Sequence, residues 1–103
     1  MMLTHITVVR AARGRSEQLG QCLQALCEPA RKMDGCLCFD VGRKADEPGA
    51  WLVHGEWRSS ATLQAYFTAP LLQRVLDEAL QRHLLGSVAC MTMSRARRHD
   101  SPS

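Results

Sequence analysis

The stretch Gly35-Cys36-Leu37-Cys38-Phe39-Asp40-Val41-Gly42-Arg43, the break Lys44-Ala45-Asp46-Glu47-Pro48-Gly49, and the run Trp51-Leu52-Val53-His54-Gly55-Glu56-Trp57 are followed at once by Ser59-Ser60-Ala61-Thr62-Leu63-Gln64-Ala65-Tyr66. Cys36 to Arg43 and Trp51 to Arg58 read as strands, and the short polar Gly-Pro break between them predicts an antiparallel hairpin. Ser59 or Ser60 stands where an N-cap is needed, since a short hydroxyl side chain accepts from the free amides of a first helical turn. A hairpin therefore feeds directly into a helix, with an aromatic closing the strand and another on the helix.

Working outward, Leu3 to Ala12 contains Ile6-Thr7-Val8-Val9, a β-rich run that is apolar on both faces near its middle, as a central covered strand requires. Arg13-Gly14-Arg15 breaks it. Leu19, Cys22, Leu23, Leu26, Cys27, Ala30 and Met33 then follow at helical spacing, with Glu17 in the first turn. Pro29 is expected to kink or loosen this helix rather than prevent it, and Asp34-Gly35 to end it. Pro70 fits the first position of a second helical segment carrying Leu72, Val75, Leu76, Ala79 and Leu80. Gly86 divides that helix from a last strand, Val88 to Arg95. The order β-α-β-β-α-β predicts an α+β, ferredoxin-like fold, a four-stranded antiparallel sheet with helices on one face. The strands carry apolar side chains on the other face too, which predicts a homodimer packed sheet to sheet.

With 103 residues the chain makes one domain, residues 1–96, followed by a basic and polar tail at 97–103. No apolar run approaches the roughly 20 residues of a membrane span. Met1-Met2-Leu3-Thr4-His5 lacks a basic region followed by an apolar core, so the expected location is the cytoplasm. Net charge is +3, with Arg95, Arg97, Arg98 and His99 clustered at the end. No aromatic is interleaved with them, so they read as a solvated terminus and no nucleic-acid partner is expected. Five cysteines, an odd number, read as reduced thiols. Cys36 and Cys38, sharing a strand face at i and i+2, read as packing groups, because zinc sites use wider spacing with a second ligand pair. No metal is expected.

On the third strand Trp51, Val53, Gly55 and Trp57 point one way, and Leu52, His54 and Glu56 the other. Trp57 ends beside the helix carrying Tyr66 and Phe67. Two outcomes follow: these aromatics wall a flat cavity for an aromatic ligand, or they fill the core where helix meets sheet. Gly55 leaves space on the same face, either for a ligand or to relieve crowding. Tyr66 is a candidate proton donor, and His5, His54 and His83 are candidate bases near neutral pH. Arg10, Arg43, Arg58 and Arg74 could hold an acidic group but read as solvated. There is no phosphate loop, nucleophile elbow or paired carboxylate set, and the chain is too small to house a nucleotide or flavin alone.

From about Thr4 to Ala96 the chain resembles the antibiotic biosynthesis monooxygenase family of dimeric α+β barrels. The resemblance is carried by Gly35-Cys36-Leu37 with Phe39, by Glu56 and Ser59 around Trp57, by Leu63, Ala65 and Tyr66, and by Ala69-Pro70. It implies a homodimer whose enzymatic members oxygenate phenolic or quinone-forming substrates with O2, without metal or flavin, the ionised substrate itself supplying electrons. Trp57 matches the family's cavity tryptophan. Tyr66 occupies a position that commonly holds histidine, which weakens any histidine-based mechanism at that point. A related branch degrades haem with Asn, Trp and His; this chain contains no asparagine, so that activity is not expected.

The function expected is therefore a cofactor-independent monooxygenase acting on a small phenolic or quinol-type aromatic. Trp57, Leu63 and Phe67 would line the pocket, and Tyr66, His54 or His83 would handle the proton. Two alternatives stay open: a non-catalytic dimer binding a small hydrophobic metabolite, and an isomerase of a small oxygenated metabolite.

Overall fold

The computed structural model describes residues 2–95; the tail at 97–103 lies outside them. Eight elements follow in order: β1 (Met2–Ala11), α1 (Ser16–Gln24), α2 (Cys27–Arg31), β2 (Cys36–Arg43), β3 (Ala50–Trp57), α3 (Ser60–Phe67), α4 (Pro70–Gln81) and β4 (Leu85–Arg95). The strands form one antiparallel sheet in the order β2-β3-β1-β4, the ferredoxin-like arrangement. The helices cover one face. Among the described residues no helix is long and apolar enough to cross a membrane.

Local chemistry explains most element boundaries. Ser59 caps α3 with a full capping box: its Oγ accepts from the Thr62 amide at 3.3 Å while Thr62 Oγ1 accepts from the Ser59 amide at 3.2 Å. Pro70 opens α4, where a missing amide hydrogen costs nothing. Gly35, at φ +83°, turns the chain from α2 into β2, and a Cβ there would overlap the Thr62 side chain.

Three features differ from the sequence reading. The first helix is two helices, because the Pro29 ring clashes one turn back with the Ala25 carbonyl and cannot donate to it. The backbone tightens at that point: the Ala25 amide donates to Cys22 O and the Leu26 amide to Leu23 O, each only three residues back. The end of α4 is set by His83 rather than Gly86. His83 adopts φ +56°; its amide donates to Leu80 O at 3.1 Å, and the Leu84 amide to Ala79 O at 2.9 Å. That is a Schellman closure with histidine in the usual glycine position. Gly86 lies inside β4, opposite a register shift at Arg10 and Ala11, where a Cβ would press on both carbonyl oxygens.

The third difference concerns Cys36 and Cys38. Cys36 pairs with Trp57 and Cys38 with Glu56, so Leu37 is an extra residue, a bulge. The bulge turns the two cysteines to opposite faces of the sheet, and they do not pack side by side.

The core lies between the sheet and the helices. Leu19, Leu23, Leu26, Phe39, Trp57 and Leu84 are its most deeply buried large side chains. Trp51 is held by its indole N–H, which donates to Ser16 O at 3.1 Å, and by Arg43, whose guanidinium carbon sits 4.6 Å over the ring. Helix α1 approaches this ring through Gly20, where any Cβ would overlap the indole.

Candidate active site

Between the sheet and helices α1, α3 and α4 lies a cavity of about 240 Å³. Leu23, Leu26, Leu72 and Leu76 give it apolar walls from the helices, while β1, β3 and β4 supply its floor. That volume is below the roughly 300–1,000 Å³ of drug-sized ligand sites. The polar side chains reaching it are His5, Thr7, Tyr66, Gln73 and Cys90.

Alternation along β1 places His5, Thr7 and Val9 on the helix-facing side, and the β1–β4 register sets His5 opposite Thr92 and Thr7 opposite Cys90. These four polar residues are linked. His5 Nδ1 lies 2.9 Å from Thr92 Oγ1, and His5 Nε2 lies 3.0 Å from Thr7 Oγ1. Thr7 Oγ1 in turn lies 3.7 Å from Cys90 Sγ. Hydroxyls donate or accept equally well, so the two threonines satisfy either neutral tautomer of the ring. Phe67 meets the imidazole edge to face, with ring centroids 4.8 Å apart. His5 is only 4% exposed, and burial lowers its pKa below the ordinary histidine value. The ring is therefore a neutral acceptor at physiological pH.

Tyr66 is the opposite case. Burial pushes its phenol far above the ordinary range, and the thiols of Cys90, Cys36 and Cys27 add to the effect. Tyr66 stays protonated near neutral pH, which suits it to donate a hydrogen bond rather than to take a proton.

The sequence-predicted residues separate into three places. Tyr66 and Phe67 line the cavity. Trp57 and Leu63 are buried but do not line it; Trp57 stacks on Tyr66 with centroids 5.0 Å apart and an interplanar angle of 29°. His54 is on the far face of the sheet, with Nε2 3.7 Å from Glu56 Oε2, and His83 forms the αL cap of α4. The space beside Gly55 is filled: a Cβ there would meet Trp57 Nε1 and Phe39, so this glycine relieves crowding. Trp57 Nε1 is itself buried without a hydrogen-bond partner.

His5 stood among the candidate bases in the sequence but behind the two other histidines, and Thr7, Cys90 and Thr92 were not singled out. The period-two placement of His5 and Thr7 was visible. Their link to Cys90 and Thr92 depends on a strand register more than 80 residues away, which local pattern does not carry.

The sequence model of the family described as antibiotic biosynthesis monooxygenase matches residues 2–78. No curated protein matches the chain. Among solved structures, PA3566 from Pseudomonas aeruginosa is 27% identical, covering 93% of this chain and 95% of its own, with a TM-score of 0.83. Rv0793 from Mycobacterium tuberculosis is 20% identical over 95% of this chain and 98% of its own, with a TM-score of 0.82. A structure described as an antibiotic biosynthesis monooxygenase is 18% identical over 92% and 99%, with a TM-score of 0.78. The last two likenesses show the fold alone.

Proposed function

The chain belongs to the antibiotic biosynthesis monooxygenase family, and on that premise we propose that it is a homodimeric, cofactor-independent monooxygenase of a small phenolic or quinol-type aromatic compound. The observation that carries this reading is His5, a buried neutral imidazole linked to Thr7 in the wall of an otherwise apolar cavity.

An aromatic ring seated among Leu23, Leu26, Leu72 and Leu76 would bring its hydroxyl to the Thr7 and His5 side. His5 accepts the substrate's proton, directly or through the Thr7 hydroxyl. The ionised ring passes an electron to O2, the two radicals combine into a C–OO⁻ group, and this takes back the proton held on His5 to give C–OOH. Loss of water from H–C–OOH leaves a carbonyl, so one oxygen atom enters the product and the other leaves as water. Tyr66, fixed as a phenol, donates to the oxygen on which negative charge develops. Phe67 keeps the imidazole dry, while Trp57 and Leu63 support the wall from behind Tyr66. His54 and His83 stand away from the cavity, so the proton falls to His5.

The homodimer reading is supported by the open face of the sheet. Ile6, Val8, Leu52, Met91 and Met93 share it by alternation and register, and Met91 is 57% and Met93 44% exposed. A cytoplasmic location fits the five free cysteines.

Oxygen uptake tests the reading. Metal-stripped protein is assayed with a panel of quinols and anthrones, and each compound's autoxidation is subtracted. Protein-dependent uptake with release of the quinone supports the oxygenase. Binding without uptake supports a carrier of hydrophobic metabolites, and anaerobic conversion an isomerase; either overturns it.

A further inference from the structure

A second group of chemistry-bearing side chains lies on the sheet face opposite the cavity. Asp40 and His54 are direct register partners on β2 and β3, and so are Cys38 and Glu56. Residues two apart on a strand share a face, and directly opposite residues on antiparallel strands hold their Cβ atoms about 4.5–5.5 Å apart. The four therefore form a compact two-by-two block. Within it Cys38 Sγ, a carboxylate oxygen of Asp40 and a ring nitrogen of His54 all lie within 4.8 Å of one another.

We propose that Cys38, Asp40 and His54 form a binding site for a divalent transition-metal ion of the zinc class. One sulfur, one oxygen and one imidazole nitrogen suit a borderline-soft ion and disfavour magnesium or calcium, which take oxygen ligands. Bonds of about 2.0–2.3 Å to such an ion place tetrahedral ligand atoms roughly 3.3–3.8 Å apart. The observed spacing closes to that range by side-chain rotation of about 1 Å.

The surroundings are arranged for it. Arg31 donates to Asp40 Oδ1 at 3.1 Å and to Phe39 O at 2.9 Å, which fixes the carboxylate. The other oxygen, Oδ2, accepts from the Cys38 thiol at 3.4 Å. A metal ion takes the place of that thiol hydrogen: the S–H bond breaks, the S–metal bond forms, and the proton leaves to solvent. Glu56 Oε2 lies 3.7 Å from His54 Nε2 and is placed to hold the imidazole. A shallow cleft of about 260 Å³ along the β2 edge, lined by Arg31, Cys36, Leu37, Cys38, Phe39 and Asp40, reaches two of the ligands from the sheet's edge, while His54 shares the face that the homodimer reading packs against a second copy. The Leu37 bulge makes the site: without it Cys38 would face the other way. The cysteine spacing alone does not suggest such a site, because the imidazole comes from the facing strand.

Cobalt(II) is the probe. The full chain, reduced and metal-stripped, is titrated anaerobically and followed by the thiolate-to-cobalt charge-transfer band. The proposal predicts one equivalent per chain, tetrahedral d–d bands, displacement by zinc, loss of the thiolate band in Cys38→Ser, and apparent affinity at least about tenfold weaker in His54→Ala. Cys36→Ser, on the other face, retains the band. All three positions are half-buried at most, and circular dichroism checks that the variants are folded. Absence of a thiolate band in the wild-type chain, or a band that survives Cys38→Ser and His54→Ala, overturns the site.

Discussion

His5 Nδ1 lies 2.9 Å from the hydroxyl of Thr92, and this contact ties the cavity's imidazole to the opposite end of the chain. The ring needs a partner on that nitrogen, since a buried unpaired nitrogen costs about 1–3 kcal/mol. Thr92 also holds the ring plane while Nε2 addresses Thr7.

Thr92→Val keeps the β-branched shape and removes the hydroxyl. The expected outcome is a roughly 2- to 10-fold fall in kcat for oxygen uptake, the equivalent of one neutral hydrogen bond. The pH–rate profile should shift as well, because the imidazole loses a partner. A kcat and profile identical to wild type would remove Thr92 from the account.

Burial of His5 also predicts a pH dependence of stability. Unfolded, His5 titrates near 6.5; folded, it titrates lower. Above about pH 6.5 the ring is neutral in both states and contributes nothing to the pH dependence. As pH falls through that value the unfolded chain takes up the proton first, so stability declines until the folded ring also titrates. Urea midpoints at pH 7.5 and 5.5 should differ more in wild type than in His5→Gln. Equal differences would show that the ring titrates alike in both states.

Gly20→Ala sets two effects against each other. Helix propensity favours alanine by about 1 kcal/mol. The new methyl, however, overlaps the Trp51 indole, which is pinned by Ser16 and Arg43, and overpacking costs typically about 1–3 kcal/mol. The overlap wins, and urea denaturation should show a net destabilisation of up to about 2 kcal/mol. A stabilised variant would mean that the indole moves freely.

His83→Gly should do the reverse. A left-handed residue with a Cβ costs about 1–2 kcal/mol, part of which is offset by the extra freedom glycine has in the unfolded chain. The expected gain is about 0.5–1 kcal/mol by urea titration. A loss of stability would indicate that the imidazole makes a contact worth more than the backbone strain.

The parts of the fold that are legible in the sequence are those set by neighbours along the chain. The hairpin break, the Ser59 cap and Pro70 at the head of α4 each act within a few residues. What escaped depends on pairing at a distance or on a residue in an unusual backbone state. The Leu37 bulge is visible only in the β2–β3 register, and His83 takes a left-handed cap that composition assigns to glycine. At the site, the clustering of Trp57, Tyr66 and Phe67 followed from the strand leading directly into the helix. Their order of approach to the cavity did not, because the stacking of Tyr66 on Trp57 decides which ring faces the space. The setting of His5 is hidden for the same reason: Thr92, the partner of its Nδ1, arrives on β4.

His5 is the group proposed to remove the substrate's proton in the cavity. The most direct test compares oxygen uptake by wild type and His5→Gln with the quinol or anthrone that wild type oxidises fastest. Glutamine keeps hydrogen-bonding capacity at this position but cannot take the proton. Loss of general-base help predicts a kcat lower by about 10²–10⁴-fold with the fold retained by circular dichroism. A His5→Gln enzyme that consumes oxygen at the wild-type rate would contradict the account.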